Sequence, residues 1–122
     1  MSSIILVDDQ PIANFITKKL LEIEGYKENV NDYNDASMAF EFAKSKSEAI
    51  IFLDLNMPTM SGWDFLDEMK KIGLSHKTII LSSSTSELDI EKAKQYPCVI
   101  EYVVKPLNKI KLAKIAPHLK AL

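Results

Sequence analysis

Polar side chains that could do chemistry together follow four apolar runs of this sequence. The runs and the residues that end them are IILV with Asp8 and Asp9, IIFL with Asp54, TIIL with Ser82 and Ser83, and VIEYVV with Lys105. Carboxylates held close together repel one another, and a hard divalent cation such as Mg²⁺ removes that cost. One carboxylate could also take a phosphoryl group, while a cation and a lysine neutralise the transferred charge. These residue types predict a magnesium-dependent phosphoryl site if the fold brings them together.

The runs themselves have the composition of buried parallel strands. Unbroken Val, Ile and Leu residues are typical of strands that lie between two layers of helices. A fifth segment, ENVNDY from Glu28 to Tyr33, is polar and predicts an edge strand.

The segments between the strands have helical spacing. The first helix has Pro11 in its first turn, Gly25 just past its end and one apolar face of Ile12, Phe15, Ile16, Leu20 and Ile23. Asp35 and Asn108 are predicted N-caps, and Ser86 to Asp89 is predicted to form a capping box. In the last helix we expect Ile110, Ala113 and Leu112 to face inward.

Strand and helix alternate five times, which predicts a doubly wound α/β sheet with five parallel strands, five helices and right-handed crossovers. In such sheets, ligands bind outside the carboxyl ends of the strands. The four polar strand ends are therefore expected to converge on one small patch.

Composition excludes several other classes of protein. The chain has 122 residues, 47% of them hydrophobic, and a formal net charge of −2, so no basic field draws it to nucleic acid or to a membrane. No apolar run approaches the ~20 residues that span a bilayer. The start of the chain fits a first strand rather than a signal peptide. Cys98 is the only cysteine, and we expect a cytoplasmic protein without direct nucleic-acid or membrane contact.

With these residues in place, the sequence resembles the receiver domain of two-component response regulators, the CheY-like family. The resemblance covers residues 1–122 as one domain, with no output domain expected in this chain. It implies the strand order 2-1-3-4-5, which is known for the chemotaxis member of the family. Asp54, inside DLNMPTMSG, matches the phosphoacceptor. Asp8 and Asp9 match the acidic pair that positions Mg²⁺ together with Asp54, and the backbone carbonyl of Asn56 would complete the metal site.

The resemblance also assigns the residues at the last two strands. Lys105, followed by Pro106, matches the lysine that binds the phosphoryl group. Ser82 matches the switch hydroxyl, with Ser83 as the alternative, and Tyr102 matches the aromatic switch residue.

The resemblance implies a phosphoryl-accepting switch rather than an enzyme with a separate substrate. A sensor histidine kinase or a phosphotransfer protein would donate the phosphoryl group from a phosphohistidine to Asp54, and the domain would slowly hydrolyse it. The change would remodel the surface of the fourth helix, fifth strand and fifth helix, where a downstream protein binds. A pseudo-receiver that binds a partner without phosphorylation is the alternative, against which the set of Asp8, Asp9, Asp54 and Lys105 argues.

Two further classes fit less well. A haloacid-dehalogenase-like phosphohydrolase needs Asp-x-Asp, and Asn56 stands at the second position. A nucleotide-binding Rossmann domain needs a Gly-rich loop after the first strand, which is missing here. His76 and His118 are interpreted as surface residues, and the lysines of the last two helices, Lys111 among them, as a solvated face or a partner surface. Trp63 is interpreted either as a core residue or as a cover for the Asp54 loop.

Overall fold

The computed structural model describes residues 3–120, and within them five β-strands alternate with five α-helices. The predicted domain, 1–122, extends two residues beyond this range at each end. The strands are β1 (Ser3–Val7), β2 (Val30–Tyr33), β3 (Ala49–Leu53), β4 (Lys77–Ser82) and β5 (Val99–Val104). The helices are α1 (Pro11–Ile23), α2 (Ala36–Lys44), α3 (Gly62–Lys71), α4 (Glu87–Ala93) and α5 (Lys109–Lys120).

All strand pairs are parallel, and the sheet order is β2-β1-β3-β4-β5. This confirms the predicted fold class and strand order. The polar segment Val30–Tyr33 lies at an edge of the sheet, as its composition predicted. Within residues 3–120 no helix is both long enough and apolar enough to cross a bilayer.

The sheet separates two hydrophobic clusters. Side chains of successive residues in a strand point to opposite faces, so Ile4 and Ile5 belong to different clusters. Leu21 of α1 and Leu112 of α5 pack on one face, and α2, α3 and α4 cover the other. Because β1 and β3 are buried along their whole length, the positions where these strands end are held firmly by the core.

The predicted apolar faces of α1 and α5 are largely wrong. The residues that α1 buries are Asn14, Thr17 and Leu21, whereas the exposed ones include Ile12, Phe15, Ile16 and Ile23. In α5, Leu112 is buried, but Ile110 and Ala113 are exposed. Apolar spacing alone cannot distinguish two faces of a helix when both carry apolar residues. In the structure the Asn14 face of α1 lies on the sheet, where Asn14 donates hydrogen bonds to the carbonyl oxygens of Asp8 and Tyr33.

The predicted caps have mixed outcomes. The Asp35 carboxylate accepts hydrogen bonds from the first turn of α2, and Asn108 Oδ1 accepts one from Lys111 N at 2.8 Å, so both N-caps are confirmed. The capping box at α4 is wrong, since the Ser86 side chain makes no cap bond. Asp89 instead accepts a hydrogen bond from Ser84 Oγ at 2.7 Å, which ties the β4–α4 loop to the helix.

The interpretation of both histidines as surface residues is wrong for His76. Its side chain is buried, and Nε2 lies 2.9 Å from the carbonyl oxygen of Ala43 at the end of α2. His118 is partly exposed, and its Nε2 lies 3.2 Å from a carboxylate oxygen of Glu101 on β5. His76 therefore serves to join α2 to the start of β4.

Candidate functional site

Three carboxylates meet at the carboxyl edge of the sheet. Asp8, Asp9 and Asp54 each offer one oxygen, and these oxygens lie within 4.8 Å of one another. Val7 and Leu53 are in register, and the backbone N–H of Asp54 donates to the Val7 carbonyl at 3.0 Å. The pairing of β1 with β3 thus continues one residue beyond the strands and sets the separation of Asp8 from Asp54.

Lys105 brings an ammonium group into the same cluster. Its Nζ lies 2.6 Å from Asp8 Oδ2 and 3.5 Å from Asp54 Oδ1. Its backbone N–H donates to the carbonyl oxygen of Ser82 at 2.8 Å, so the base of the side chain is attached to the end of β4. The Lys105–Pro106 peptide bond is cis. The structure therefore brings together the four charged residues that the sequence singled out.

The charges of the cluster act on one another strongly because they are partly removed from water. Burial and, next, the charge of Asp8 raise the pKa of Asp54, while Lys105 and the backbone N–H of Asn56 oppose that rise. Burial alone would lower the pKa of Lys105, but its hydrogen bond to Asp8 and the charge of Asp54 outweigh burial and raise it. Lys105 is therefore a firmly charged group beside a carboxylate that ionises with difficulty.

Two asparagines that sequence analysis did not select hold Asp8 in place. Asn14 Nδ2 donates to the carbonyl oxygens of Asp8 and Tyr33, at 3.4 and 3.0 Å, and Asn34 Nδ2 donates to Asp8 O at 2.9 Å. The backbone N–H of Gln10 donates to Asp8 Oδ1 at 3.0 Å. A sequence signal for Asn14 was available in the helical spacing of Asn14, Thr17 and Leu21. A polar residue at the start of such a spacing indicates that the buried face of the helix meets a polar strand end.

The loop after Asp54 depends on a close backbone contact at Gly62. A Cβ atom at this position would lie 2.5 Å from the Asp54 carbonyl oxygen and 2.8 Å from the Leu55 Cα. The Gly62 N–H donates to Leu55 O at 2.9 Å, and Ser61 and Asp64 form a reciprocal capping box that starts α3. Gly62 thus lets α3 begin directly against the backbone that carries Asp54.

The two predicted switch residues both contact Ser84. Ser82 is buried and its Oγ accepts the Ser84 N–H at 3.1 Å, while the Tyr102 hydroxyl donates to Ser84 O at 3.0 Å. Ser83 is exposed. The structure connects the Ser82 and Tyr102 side chains through one loop residue, and their roles in switching stay predictions.

Trp63 lies between α3 and α4. Its ring stacks on Tyr96 with centroids 5.9 Å apart, and the Lys92 ammonium lies 4.6 Å from its centre. The Tyr96 hydroxyl also donates to Asp67 of α3 at 2.7 Å. Trp63 packs against the core cluster on this face, which favours the first of the two interpretations.

The donor set fits a hard divalent cation. Three carboxylate oxygens within 4.8 Å of one another are ligands of the type that Mg²⁺ prefers, and all three belong to strand ends fixed by the core. The structure thus contains an acidic cluster that could bind a metal ion. A ligand role for the backbone carbonyl of Asn56, whose side chain is exposed, stays a prediction.

Comparison with known proteins agrees with this geometry. Residues 4–116 match the family model described as the response regulator receiver domain. The chain belongs to this family. Receiver domains are components of two-component signalling, their partners are histidine kinases, and they are typically not enzymes in the usual sense.

Individual relatives are similar to this receiver domain over different lengths. The nitrate/nitrite response regulator NarL of Escherichia coli K12 is 32% identical over 92 residues, which cover 75% of this chain and 43% of NarL. The chain thus spans less than half the length of this relative.

Two solved structures match this chain over almost its whole length. A two-component response regulator from Cytophaga hutchinsonii has a TM-score of 0.83 and 26% identity over 100% of this chain and 98% of its own. The response regulator TrrA from Thermotoga maritima, solved in complex with Mg²⁺-BeF, has a TM-score of 0.77 and 26% identity over 99% and 98% of the two chains.

Replacing Gly62 by alanine should disturb the receiver at Asp54. We expect Gly62→Ala to lower the free energy of unfolding by about 1–3 kcal/mol, because an added methyl group must displace backbone. The backbone amide signals of Asp54 and Leu55 should shift in an NMR spectrum.

Gly73→Ala is the matched control for this change. Gly73 has φ +71, and a Cβ added there would have no atom within 4 Å, so its replacement adds backbone strain without a close contact. It should cost stability and leave the Asp54 and Leu55 signals in place. Wild-type signals in Gly62→Ala would contradict the proposed contact.

Replacing Asp54 by asparagine should stabilise the metal-free protein. The folded state raises the pKa of Asp54 above its ordinary value of 3.8, so ionisation of this group opposes folding. The wild type therefore loses this group's contribution to stability as the pH rises from 3.8 through the raised pKa of Asp54, whereas the asparagine variant is unaffected by this titration. At pH 7 in a chelating buffer we expect the asparagine variant to have the higher midpoint of urea denaturation.

The gain should disappear below the ordinary pKa of the carboxyl group, where Asp54 is protonated in both states. Asp32→Asn is a suitable control, because Asp32 forms an exposed ion pair with Lys18 at 3.4 Å and should change stability little. An Asp54→Asn protein that is less stable than the wild type at pH 7 would show that the carboxylate is a net stabilising group.

Proposed function

We propose that this receiver domain accepts a phosphoryl group on Asp54 from a phosphohistidine of a sensor histidine kinase or a phosphotransfer protein. The observation that carries the proposal is the Lys105 ammonium, which lies 2.6 Å from Asp8 and 3.5 Å from Asp54 at the edge of the acidic cluster. An acceptor carboxylate needs a positive charge that can meet the incoming phosphoryl oxygens. Lys105 can supply it by exchanging its contact with Asp8 for one with the phosphoryl group.

In the proposed step, a carboxylate oxygen of Asp54 forms a bond to phosphorus and the bond from phosphorus to the donor's imidazole nitrogen breaks. The electron pair of that bond stays on the imidazole, and the product is an acyl phosphate. Asp8, Asp9, Asp54 and the Asn56 carbonyl would hold Mg²⁺, which supplies positive charge to the transferring group. Water later attacks phosphorus, the bond from phosphorus to the Asp54 oxygen breaks, and inorganic phosphate leaves with the Asp54 carboxylate restored. The domain modifies its own side chain and is not an enzyme in the usual sense.

The structure of TrrA supports the metal assignment by similarity. That protein was solved with Mg²⁺-BeF, and it matches 99% of this chain at 26% identity. We infer that the acidic cluster of this chain takes Mg²⁺ in the same way, because its three carboxylate oxygens already lie within 4.8 Å of one another.

The donor protein is proposed to bind over α1. Ile12 and Ile16 are exposed, and they line a cavity of about 200 Å³ that also contacts Asp54, Lys105 and Pro106. This cavity offers a route by which a phosphohistidine could reach Asp54 from solvent. An apolar helix face that continues into the site suits a donor protein, which must dock and deliver its imidazole ring in one arrangement.

The output surface is proposed to lie on α4, β5 and α5. Leu88 of α4 and Ile110 of α5 are 83% and 72% exposed. Phosphorylation would draw the Ser82 hydroxyl toward the new phosphoryl oxygens and change the loop that Ser84 shares with Tyr102. A downstream protein would bind the remodelled surface.

We expect these exchanges to take place in the cytoplasm, where the single cysteine, Cys98, would remain a thiol. The proposed output is by protein contact, without direct binding to nucleic acid or to a membrane, in keeping with a net charge of −2.

Incubation with acetyl phosphate and Mg²⁺ should add the mass of one phosphoryl group to the protein. The label should be lost at alkaline pH, as expected for an acyl phosphate, and should be absent from Asp54→Asn. Asp9→Ala should need more Mg²⁺ to reach the same rate, since it removes one of three candidate ligands. Intact-protein mass spectrometry measures all three.

The control is Asp32→Asn, which removes an exposed carboxylate of β2 outside the acidic cluster, in an ion pair with Lys18. It should be labelled at the wild-type rate. Equal labelling of Asp54→Asn and the wild type would refute the acceptor assignment. A wild type that takes no label from acetyl phosphate or from a phosphorylated donor would favour the pseudo-receiver instead.

Removal of the Ser82 hydroxyl should separate phosphoryl transfer from the structural response. One neutral hydrogen bond is worth about 0.5–1.5 kcal/mol, so Ser82→Ala should still react at Asp54. With beryllofluoride as a mimic of the phosphoryl group, the amide shifts of Tyr102 and of α4 should be smaller than in the wild type.

Ser83→Ala, at the exposed neighbouring serine, is the matched control and should respond fully. Full shifts in Ser82→Ala together with reduced shifts in Ser83→Ala would assign the switch hydroxyl to Ser83.

A further inference from the structure

Lys111, in the first turn of α5, is attached to the loop that carries Lys105. Its Nζ donates hydrogen bonds to the carbonyl oxygen of Val104 at 2.5 Å and to that of Pro106 at 3.2 Å. These two residues stand directly before and after Lys105 in the sequence. Lys111 is half-buried and does not belong to the freely solvated face that the lysine pattern had suggested.

The chain leaves the sheet at this point. β5 ends at Val104, the Lys105 N–H still donates to the Ser82 carbonyl oxygen, and Pro106 lies beyond the strand and is exposed. An ammonium group has three donors and can satisfy both oxygens at once. The backbone of Lys111 is fixed as well, since its N–H donates to Asn108 Oδ1 at 2.8 Å. The contact therefore joins a capped helix end to the loop.

This attachment bears directly on where the Lys105 ammonium lies. Lys105 has a long flexible side chain, and its reach to Asp8 and Asp54 depends on the placement of its own backbone. That backbone is held on one side by the bond from Lys105 N to Ser82 O, at 2.8 Å. Lys111 holds the peptide units before and after it. Precise placement of a group that meets a transferring phosphoryl requires such support from residues behind it.

We propose that Lys111 is a positioning residue for phosphoryl transfer, which acts by fixing the Val104–Pro106 backbone so that Lys105 meets the phosphoryl group on Asp54. The proposal rests on the proposed function of Asp54. Lys109 and Lys114 belong to the same helix but are exposed, so neither of them shares this role.

The first test compares transfer rates at saturating acetyl phosphate and Mg²⁺. Lys111→Met keeps the length of the side chain and removes the ammonium. We expect the rate to fall on the order of tenfold, below the roughly hundredfold that a 1 Å misplacement can cost. Lys111→Arg should recover part of the rate, because it restores a cationic donor. Lys114→Met removes a charge from the same helix and should leave the rate unchanged.

The second test measures amide hydrogen exchange without any phosphoryl donor. In Lys111→Met the Lys105 amide should exchange faster, while the amides of Ile51 and Ile80 in the central strands should exchange as in the wild type. Uniformly faster exchange would mean a general loss of stability and would overturn the positioning role.

The two proposals fail in different ways. A wild type that takes no phosphoryl group would overturn the function of Asp54. A wild type that is phosphorylated no faster than Lys111→Met would overturn the role of Lys111 alone.

Discussion

The contact between the Lys105 ammonium and the Asp8 carboxylate, at 2.6 Å, joins residues 97 positions apart in the chain. Three carboxylates within 4.8 Å of one another would otherwise repel, by a few kcal/mol for a pair at an effective dielectric constant of about 20. One ammonium offsets only part of this repulsion. The remaining negative charge means that the cluster could bind a divalent cation.

Much of the surrounding structure can be understood as support for this cluster. The pairing of β1 with β3 sets the distance between Asp8 and Asp54, and the asparagines Asn14 and Asn34 hold the Asp8 backbone. Gly62 lets α3 start against the Asp54 carbonyl. Each support is a backbone or amide contact. Such a contact is rigid and adds no charge to a site that already carries an excess of negative charge.

The site is also connected to the surface of the domain through the β4–α4 loop. Ser84 uses its N–H for Ser82, its carbonyl oxygen for Tyr102 and its hydroxyl for Asp89 of α4. A displacement of the Ser82 hydroxyl would therefore be transmitted through Ser84 to Tyr102 of β5 and to Asp89 of α4. This is a contiguous physical link of the kind that a two-state switch needs, and it runs toward the exposed faces of α4 and α5.

The sequence predicted the fold class and the four charged residues of the site. The strand order was available through the resemblance to receiver domains. Unbroken apolar runs identify buried parallel strands, and a doubly wound sheet gathers polar residues that follow such runs, as Asp54 follows β3, at one edge. Tertiary structure alone decided which faces the helices present. The apolar residues of α1 predicted a buried face containing Ile12 and Ile16, yet the helix is rotated so that Asn14 reaches the sheet.

Lys111 shows the same limit at the site itself. Its ammonium reaches the carbonyl oxygens on either side of Lys105, whereas Lys114 of the same helix is exposed, and nothing in the sequence around these two lysines distinguishes them. The spacing of apolar residues along the sequence predicts which side chains are buried. It carries no information on which backbone groups lack partners after folding, because those groups are defined only once distant segments have met.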